Sequence, residues 1–484
     1  MKKESKIVSN LIWRFMERCG AYGVKFLVEL VIARILLTED YGLVALITVF
    51  IEILNVFVDS GMANALIQKK DADDLDFSSV FYFNMVLCCI LYFLLFLAAP
   101  FIAVFYNNSS ITLLVRILGI QLIISGIKNV QQAYVSRTMQ FKRFFFSTLG
   151  GTIGAGVIGI VMACTGFGVW ALVAQQLFNT TVDTLILWIT VKWRPKWMFS
   201  LQRLKKLFSY GWKLLVSTLI DKVYTEIRSL LIGKIYSPAD LAYYNRGEQF
   251  PKAIVLNVNT SIDSVLLPTM SDEQEDTERV KNMTRKAIKT STYIMAPLMM
   301  GLCFTATPLI RLILTEKWLL CVPYLRIFCF TYMFRPIHTA NLNAIKAIGR
   351  SDLFLKLEII KKIVGLIALL IALPYGVMTM AYSLLFTNVI SQIINAWPNR
   401  KLLNYSYWDQ IKDILPNVLL ALCMGMIVGL VGLLDLSDII TLCIQILLGI
   451  VIYVFGSIIL KTDSFNYIVK YVKNMFERKR RDIK

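Results

Sequence analysis

Long apolar stretches without a charged residue are the feature that most constrains the fold of this chain. Residues 80–106, 414–434 and 439–460 contain no Asp, Glu, Lys or Arg, and residues 144–191 contain only Asp183. About 20 apolar residues are enough to cross the hydrocarbon core of a bilayer as an α-helix. Because 57% of the 484 residues are hydrophobic, the chain is predicted to be an all-α integral membrane protein. We expect about fourteen transmembrane helices, centred near residues 23, 54, 92, 124, 155, 180, 222, 254, 300, 335, 365, 386, 424 and 450.

The loops between these predicted helices alternate sharply in charge. Basic residues cluster in every second loop and in both termini, at 2–6, 69–70, 137–143, 192–206, 279–289, 346–356, 400–412 and 463–484. Lys317 is the clear basic residue in the loops of the opposite side. Cytoplasmic loops carry the excess of Lys and Arg in membrane proteins. We therefore expect a multi-pass protein with both termini in the cytoplasm, and this location explains the net charge of +19 without a nucleic-acid partner.

Two pairs of similar segments indicate an internal duplication. "ARILLTEDYG" at 33–42 resembles "GKIYSPADLA" at 233–242, and a second pair recurs at a similar offset around Arg116 and Arg326. A duplicated unit with an even number of crossings gives two lobes of the same orientation, as in one class of transporter. We expect six helices in an N-lobe (1–200), six in a C-lobe (201–405), two additional helices (406–462) and a basic amphipathic cytoplasmic tail on the inner leaflet (463–484).

Several predicted membrane helices carry charges that cannot face lipid. A charge at the bilayer centre costs at least about 2.5–3.5 kcal/mol, so these side chains should face a polar interior, where Arg and Lys can bind phosphate oxygens. The predicted anion-binding residues, lining a cationic central cavity, are Arg14, Arg18, Lys25, Lys213, Arg228, Arg246 and Arg335. Three acids are candidates for ion coupling or for structural ion pairs: Glu29, Asp59 and Asp221. The alternative is that these charges only pair with one another and hold the helices together, and Lys25 and Glu29, four residues apart, fit that reading well.

The residues that would support metal or cofactor chemistry are scarce. His338 is the single histidine, and the nine cysteines show no CxxC spacing. Neither a zinc site nor a disulfide framework is indicated. The predicted outer loops are also too short for a folded catalytic domain. We therefore expect no cofactor and no catalytic site, and we interpret His338 as a group in an interhelical hydrogen bond.

The sequence resembles a known transporter family along most of its length. The similarity begins at "VIARILLTEDYGLVALITVF" and "FVDSGMANALIQKKD", and continues through "GFGVWALVAQQL", "LFSYGWKLLVSTLID", "LIGKIYSPADLAYYNRGEQFP" and "TEKWLLCVPYLRI". These segments resemble polysaccharide-transport flippases of the Wzx type, in the multidrug/oligosaccharidyl-lipid/polysaccharide exporter superfamily. The resemblance covers roughly residues 10–400, and the pattern falls on Asp59, Asp221, Asn245 and Arg246.

The resemblance implies a substrate and a location. The substrate would be an oligosaccharide on undecaprenyl pyrophosphate, moved across the bacterial cytoplasmic membrane by alternating access. Implied partners are membrane lipids, a coupling ion (proton or sodium), and a polymerase and glycosyltransferases. Two alternatives remain open at this point. One is a drug or cation antiporter of the same superfamily, whose cavity should be acidic rather than basic; the other is a polytopic polysaccharide polymerase or lipid-linked glycosyltransferase.

Overall fold

The computed structural model describes the backbone of residues 2–59, 61–69, 71–434, 436–467 and 469–470, and most of their side chains. The side chains of residues 2–12, 14, 15, 17–19, 210, 261, 264 and 265 are outside this description. Within the described residues the secondary structure is entirely helical. Most of the predicted cytoplasmic tail, 471–484, lies outside the described residues, so its placement on the inner leaflet stays a prediction.

Sixteen α-helices form the described part of the chain, with two short 3-10 helices at Glu316–Cys321 and Leu373–Tyr375. The α-helices are α1 Lys2–Ile35, α2 Thr38–Asp59, α3 Met62–Gln68, α4 Asp74–Phe105, α5 Ser110–Arg137, α6 Phe141–Cys164, α7 Val169–Thr190, α8 Leu201–Ile235, α9 Pro238–Asp272, α10 Thr277–Leu314, α11 Val322–Met333, α12 Arg335–Ala347, α13 Ser351–Ala372, α14 Val377–Leu402, α15 Tyr407–Val431 and α16 Asp438–Ile459.

The all-α membrane fold is confirmed, whereas the number of crossings is not. Each predicted centre falls within a helix, and the one near 335 falls where α11 meets α12. In the described residues, eight helical segments are long and apolar enough to cross a membrane, and they include α4, α5, α10, α15 and α16. Helices α1, α8 and α9 are long enough to span, with 34, 35 and 35 residues, but they are not among these eight. The count of fourteen crossings therefore stays a prediction.

The chain divides into two compact units, Met1–Ala242 and Tyr243–Lys484, with the division inside α9. Helix α8, which was predicted to open the second lobe, packs against α2, α3 and α4 within the first unit. The predicted lobe boundary at residue 200 and the other predicted boundaries are left as predictions.

In the first unit, α2 packs against α8 and the start of α9 through small residues. Gly42 of α2 approaches the backbone of Pro238, and Gly233 of α8 approaches the side chain of Leu46. At the other end of α2, Gly61 adopts a positive φ of 66° and lies against the backbone of Gly211. A glycine is needed at Gly61 both for this φ and for the close approach. These contacts allow α8 to follow α2 and α3 along their length.

The C-terminal end of α8 is also bonded to the end of α4. The Lys234 ammonium donates to the carbonyl oxygen of Phe105 and lies 4.3 Å from the centre of the Phe105 ring. One residue further on, the Tyr106 hydroxyl donates to the Leu230 carbonyl oxygen at 3.4 Å. Carbonyl groups at the last turn of a helix have no partner inside that helix, so Lys234 satisfies one of them for α4.

The second unit is built around α10, which packs against α11, α12, α15 and α16. Polar side chains join α10 to α16: the Tyr293 hydroxyl donates to Ser457 Oγ at 2.9 Å, and the Tyr453 hydroxyl donates to the Tyr293 carbonyl oxygen at 2.8 Å. All three residues are buried. Helix α16 is therefore fastened to α10 by hydrogen bonds that a purely apolar surface would not supply.

We predict that Gly42→Ala destabilises the protein. An added Cβ would lie 1.8 Å from the Pro238 carbonyl oxygen, and such overpacking costs about 1–3 kcal/mol. The matched control is Gly301→Ala in α10, where a Cβ meets nothing within 4 Å and where alanine favours the helix by about 0.5–1 kcal/mol. Thermal unfolding of the purified protein should show a lower midpoint for Gly42→Ala only. Equal midpoints for both variants would contradict the close packing of α2 on Pro238.

Candidate functional site

The predicted site residues of α1 are only partly described. The side chains of Arg14 and Arg18 lie outside the described residues, so their predicted role remains a prediction. Lys25 Nζ lies 3.6 Å from Glu29 Oε1, and these side chains are 62% and 20% exposed. An exposed pair at this separation contributes little to stability. Lys25 and Glu29 therefore form the ion pair expected from their spacing, and this weak pair leaves the Lys25 ammonium open to solvent.

Helix α8 carries two basic side chains without an acidic partner in the described residues. Arg228 is half-buried, and its Nε is buried with no hydrogen-bond partner. Lys213 is exposed and makes no ion pair with the described side chains. Leaving a buried donor unpaired costs about 1–3 kcal/mol, and more for a charged group. A basic side chain held this way is suited to receive an anion or water.

The acids near Arg228 on α8 are already engaged. Lys222 Nζ lies 3.0 Å from Glu226 Oε1 on the same helix and also binds Glu52 of α2. This second contact ties α8 to α2. Asp221, a predicted coupling residue, is exposed on α8, and its carbonyl oxygen accepts from the Thr225 hydroxyl at 2.8 Å. The cluster around Lys222 is therefore a structural ion network, and it leaves Arg228 outside it.

Arg246, predicted to bind an anion, is held inside the second unit. It is 6% exposed, its Nη1 donates to Gln249 Oε1 at 2.6 Å, and its guanidinium lies 4.9 Å from the centre of the Trp318 ring. Trp318 belongs to the 3-10 helix Glu316–Cys321 and is fully buried. Arg246 thus connects α9 to this segment through a cation–π contact. This packing is a structural role that its position in the sequence did not indicate.

Arg335, at the start of α12, lies beside further basic residues of the second unit. It is exposed, and it interacts electrostatically with His338 and Lys361. Lys361 of α13 is 14% exposed and lies 2.5 Å from Glu358. Glu358 already pairs with Lys361. Among the described side chains, no acid forms an ion pair with Arg335. Sequence reasoning missed Lys361, although "KLEIIKK" within the otherwise apolar α13 carried the signal.

The acid predicted at the end of α2, Asp59, is exposed at the edge of a polar network between α2, α5 and α7. Asn129 of α5 donates to Asp59 Oδ1 at 2.8 Å, and Lys128 attracts the same carboxylate. Lys128 Nζ also lies 3.1 Å from Asp183 Oδ2 on α7. The Lys128 ammonium therefore pairs with Asp183, while Asp59 is bonded by the neighbouring Asn129. The pairing of Lys128 with Asp183 was not predicted, because the two residues are far apart in sequence.

The Val58 carbonyl at the end of α2 accepts hydrogen bonds from Asn84 at 3.1 Å and from Asn129 at 3.3 Å. Side chains from α4 and α5 thus satisfy the last turn of α2, and α3 starts again only three residues later. The polar network therefore satisfies a carbonyl oxygen at this helix end in addition to pairing charges.

His338 is buried, and its Nδ1 lies 2.9 Å from Asn395 Nδ2 of α14. This is the interhelical hydrogen bond that was expected for the single histidine. Among the described residues, no group of three or more His, Cys, Asp or Glu side chains could hold a metal ion.

A family model described as "Polysaccharide biosynthesis protein" matches residues 31–323, which is more than half of the chain. The chain belongs to the polysaccharide biosynthesis protein family. The match runs from α1 to α11, so it covers the α2–α8 contacts, the network around Lys128 and the Arg246–Trp318 contact. The resemblance to polysaccharide-transport flippases is confirmed.

The relatives of this polysaccharide biosynthesis protein include two curated bacterial proteins. It is 25% identical over 384 residues to the teichuronic acid biosynthesis protein TuaB of Bacillus subtilis, which covers 78% of this chain and 79% of TuaB. It is 23% identical over 417 residues to the lipopolysaccharide biosynthesis protein WzxC of Escherichia coli, which covers 86% of this chain and 83% of WzxC.

Among solved structures, the fold of this family member matches that of the lipid II flippase MurJ in an inward closed conformation. The TM-score is 0.74 at 17% identity, over 94% of this chain and 99% of MurJ. At this identity the match establishes the fold. The protein is a multi-pass membrane protein, and its fold is that of a membrane transporter.

We predict that removing Lys128 destabilises the first unit strongly. Lys128→Met leaves the buried carboxylate of Asp183 without its cation, and breaking a buried pair in this way costs about 3–5 kcal/mol. The double variant Lys128→Met/Asp183→Asn removes both charges of the pair and should be more stable than the single variant. The unfolding midpoints of the two purified variants measure this difference. A single variant as stable as the double variant would contradict the pairing.

Proposed function

We propose that this protein flips oligosaccharide repeat units linked to undecaprenyl pyrophosphate across the bacterial cytoplasmic membrane, for the biosynthesis of a surface polysaccharide. Membership of the polysaccharide biosynthesis family supports the broad role. The likeness of the fold to a lipid flippase supports movement of an amphiphile rather than of a small soluble ion. The named relatives act in the biosynthesis of teichuronic acid and lipopolysaccharide, so the glycan itself is left unspecified.

The observation that carries the proposal is the unpaired basic charge of Arg228 in the long helix α8. Glu226, two residues before Arg228, binds Lys222 instead, and Arg228 Nε is buried without a partner. A pyrophosphate brings several acceptor oxygens and more than one negative charge. Charge-assisted hydrogen bonds from a guanidinium to phosphate are among the strongest that a protein makes. An anionic headgroup would thus satisfy a donor that the chain itself leaves open.

The mechanism proposed is alternating access around a cationic central cavity. The diphosphate binds the basic side chains, of which Lys213, Arg228 and Arg335 have no acid bonded to them in the described residues. Lys25, Arg14 and Arg18 would add to this set from α1. The sugars then occupy hydrated space while the polyprenyl chain remains in the lipid. A net basic cavity of this kind disfavours the cationic drugs that an antiporter would carry.

Coupling to an ion and the orientation in the membrane belong to the same proposal. Asp59 is one candidate for coupling, since it accepts a hydrogen bond from Asn129 inside the first unit. Glu29 and Asp221 are exposed to different extents and are the other candidates. The coupling ion would be a proton or sodium. Both termini would be cytoplasmic, where glycosyltransferases make the substrate, and a polymerase would use it on the outer side.

The test is deletion of the gene followed by complementation with variants. Loss of the protein should strand lipid-linked repeat units on the inner leaflet. Arg228→Ala should reduce rescue about tenfold or more, because a hydrogen bond to a charged group contributes about 1.5–3 kcal/mol. The matched control is Arg350→Ala, which removes an exposed arginine already bonded to Asp352 at 2.9 Å. Protein abundance is measured in parallel by immunoblotting.

Full rescue by an Arg14/Arg18/Arg228 triple alanine variant would contradict anion binding by these residues. A drug-sensitivity phenotype with normal surface glycan would favour the antiporter instead.

A further inference from the structure

An open pocket of about 280 Å³ lies between α3 and α8 in the first unit. Its lining combines apolar, amide and basic side chains, and the residues are Ala65, Gln68, Lys69, Arg203, Lys206 and Leu207. Ala65 and Leu207 are buried and form an apolar floor, whereas Lys206 is exposed. This combination of an apolar floor and a basic rim is suited to the headgroup region of an amphiphile.

Two of the three basic side chains are positioned by acids behind the pocket. Lys69 Nζ lies 2.5 Å from Asp76 Oδ2, and Arg203 Nη1 lies 3.4 Å from the same oxygen. The Asp76 side chain is fully buried. Asp76 also belongs to the capping box that begins α4. Its carboxylate accepts from the backbone N–H of Asp73, and this bond holds it in place. Lys69 and Arg203 are therefore held at the pocket rather than free to rotate into solvent.

Asp73 supplies the second acid of this group. Its Oδ2 accepts from Arg203 Nη1 at 2.6 Å. The backbone N–H of Asp76 lowers the pKa of Asp73 most, and the hydrogen bond from Arg203 lowers it further, so Asp73 is ionised at neutral pH. Two carboxylates thus face three basic groups. The surplus charge is on Lys206, which makes no ion pair with the described side chains.

We propose that this pocket binds the phosphate headgroup of a membrane lipid at the cytoplasmic surface. The loops that carry Lys69 and Arg203 belong to the side predicted to be cytoplasmic, where the inner leaflet presents anionic phosphates. Lys206 neutralises the phosphate, Lys69 and Arg203 donate to its oxygens, and the floor of Ala65 and Leu207 covers the first apolar atoms. The lipid is an anionic phospholipid or the polyprenyl diphosphate carrier, and the second source rests on the proposed function.

The experiment compares two neighbouring lysines in the full-length protein, purified in nanodiscs of neutral phosphatidylcholine. Lys206→Ala removes the surplus charge from the pocket. Lys205→Ala is the matched control, because Lys205 is also exposed on α8 but does not line the pocket. Each variant is titrated with dihexanoyl phosphatidylglycerol and, separately, with farnesyl diphosphate at constant salt. Lys206→Arg should retain binding, since it keeps the charge.

Lys206→Ala should weaken binding of at least one probe about fivefold, as expected for one lysine near a lipid phosphate, while Lys205→Ala changes it less than about twofold. The probe that is weakened identifies the source of the phosphate. Equal losses in the two variants would mean diffuse surface charge and would overturn the proposal, as would no loss in either. Binding of phosphatidylglycerol does not require transport, so a failed flippase assay leaves this result unaffected.

Discussion

The cost of placing charge in an apolar layer is the constraint on which the rest of this structure depends. Each charge left facing hydrocarbon costs at least about 2.5–3.5 kcal/mol, yet α1, α8 and α9 each carry several. The first unit meets part of this cost with interhelical ion pairs. Lys222 binds Glu52 across the α2–α8 contact, and Lys128 joins Asp183 across the α5–α7 contact. These pairs offset part of the cost of burying the charges, and they join specific helices to one another.

The charges that are not used in this way give the protein its proposed chemistry. Arg228 and Arg335 have no bonded acid among the described side chains, whereas Glu226 and Glu358 are bonded to lysines. Arg246 shows that a basic residue in such a chain can instead be structural, because Trp318 and Gln249 surround it. Arg228 has no such partner in the chain, and a role of Arg246 in substrate binding stays a prediction.

The sequence predicted the helices well because apolar length and charge spacing are local properties. The charge-free stretch at 80–106 became α4, and 439–460 became α16. Partners far apart in sequence could not be predicted in the same way. Lys128 with Asp183, and Arg246 with Trp318, depend on which helices pack together, and no spacing rule gives that information. Lys25 with Glu29 was predictable, since four residues separate them on one helix. The anion-binding role of Arg14 and Arg18 stays a prediction, because their side chains lie outside the described residues.

The central claim is that basic side chains of this protein recognise a diphosphate, and reconstitution into proteoliposomes tests it most directly. Two fluorescent substrates with the same oligosaccharide and the same polyprenyl chain are compared, one joined through a diphosphate and one through an uncharged ether. The rate at which each reaches the opposite leaflet is followed by quenching from outside. The account predicts that the protein accelerates movement of the diphosphate substrate but not of the uncharged one. Equal acceleration of both, or of neither, would contradict it.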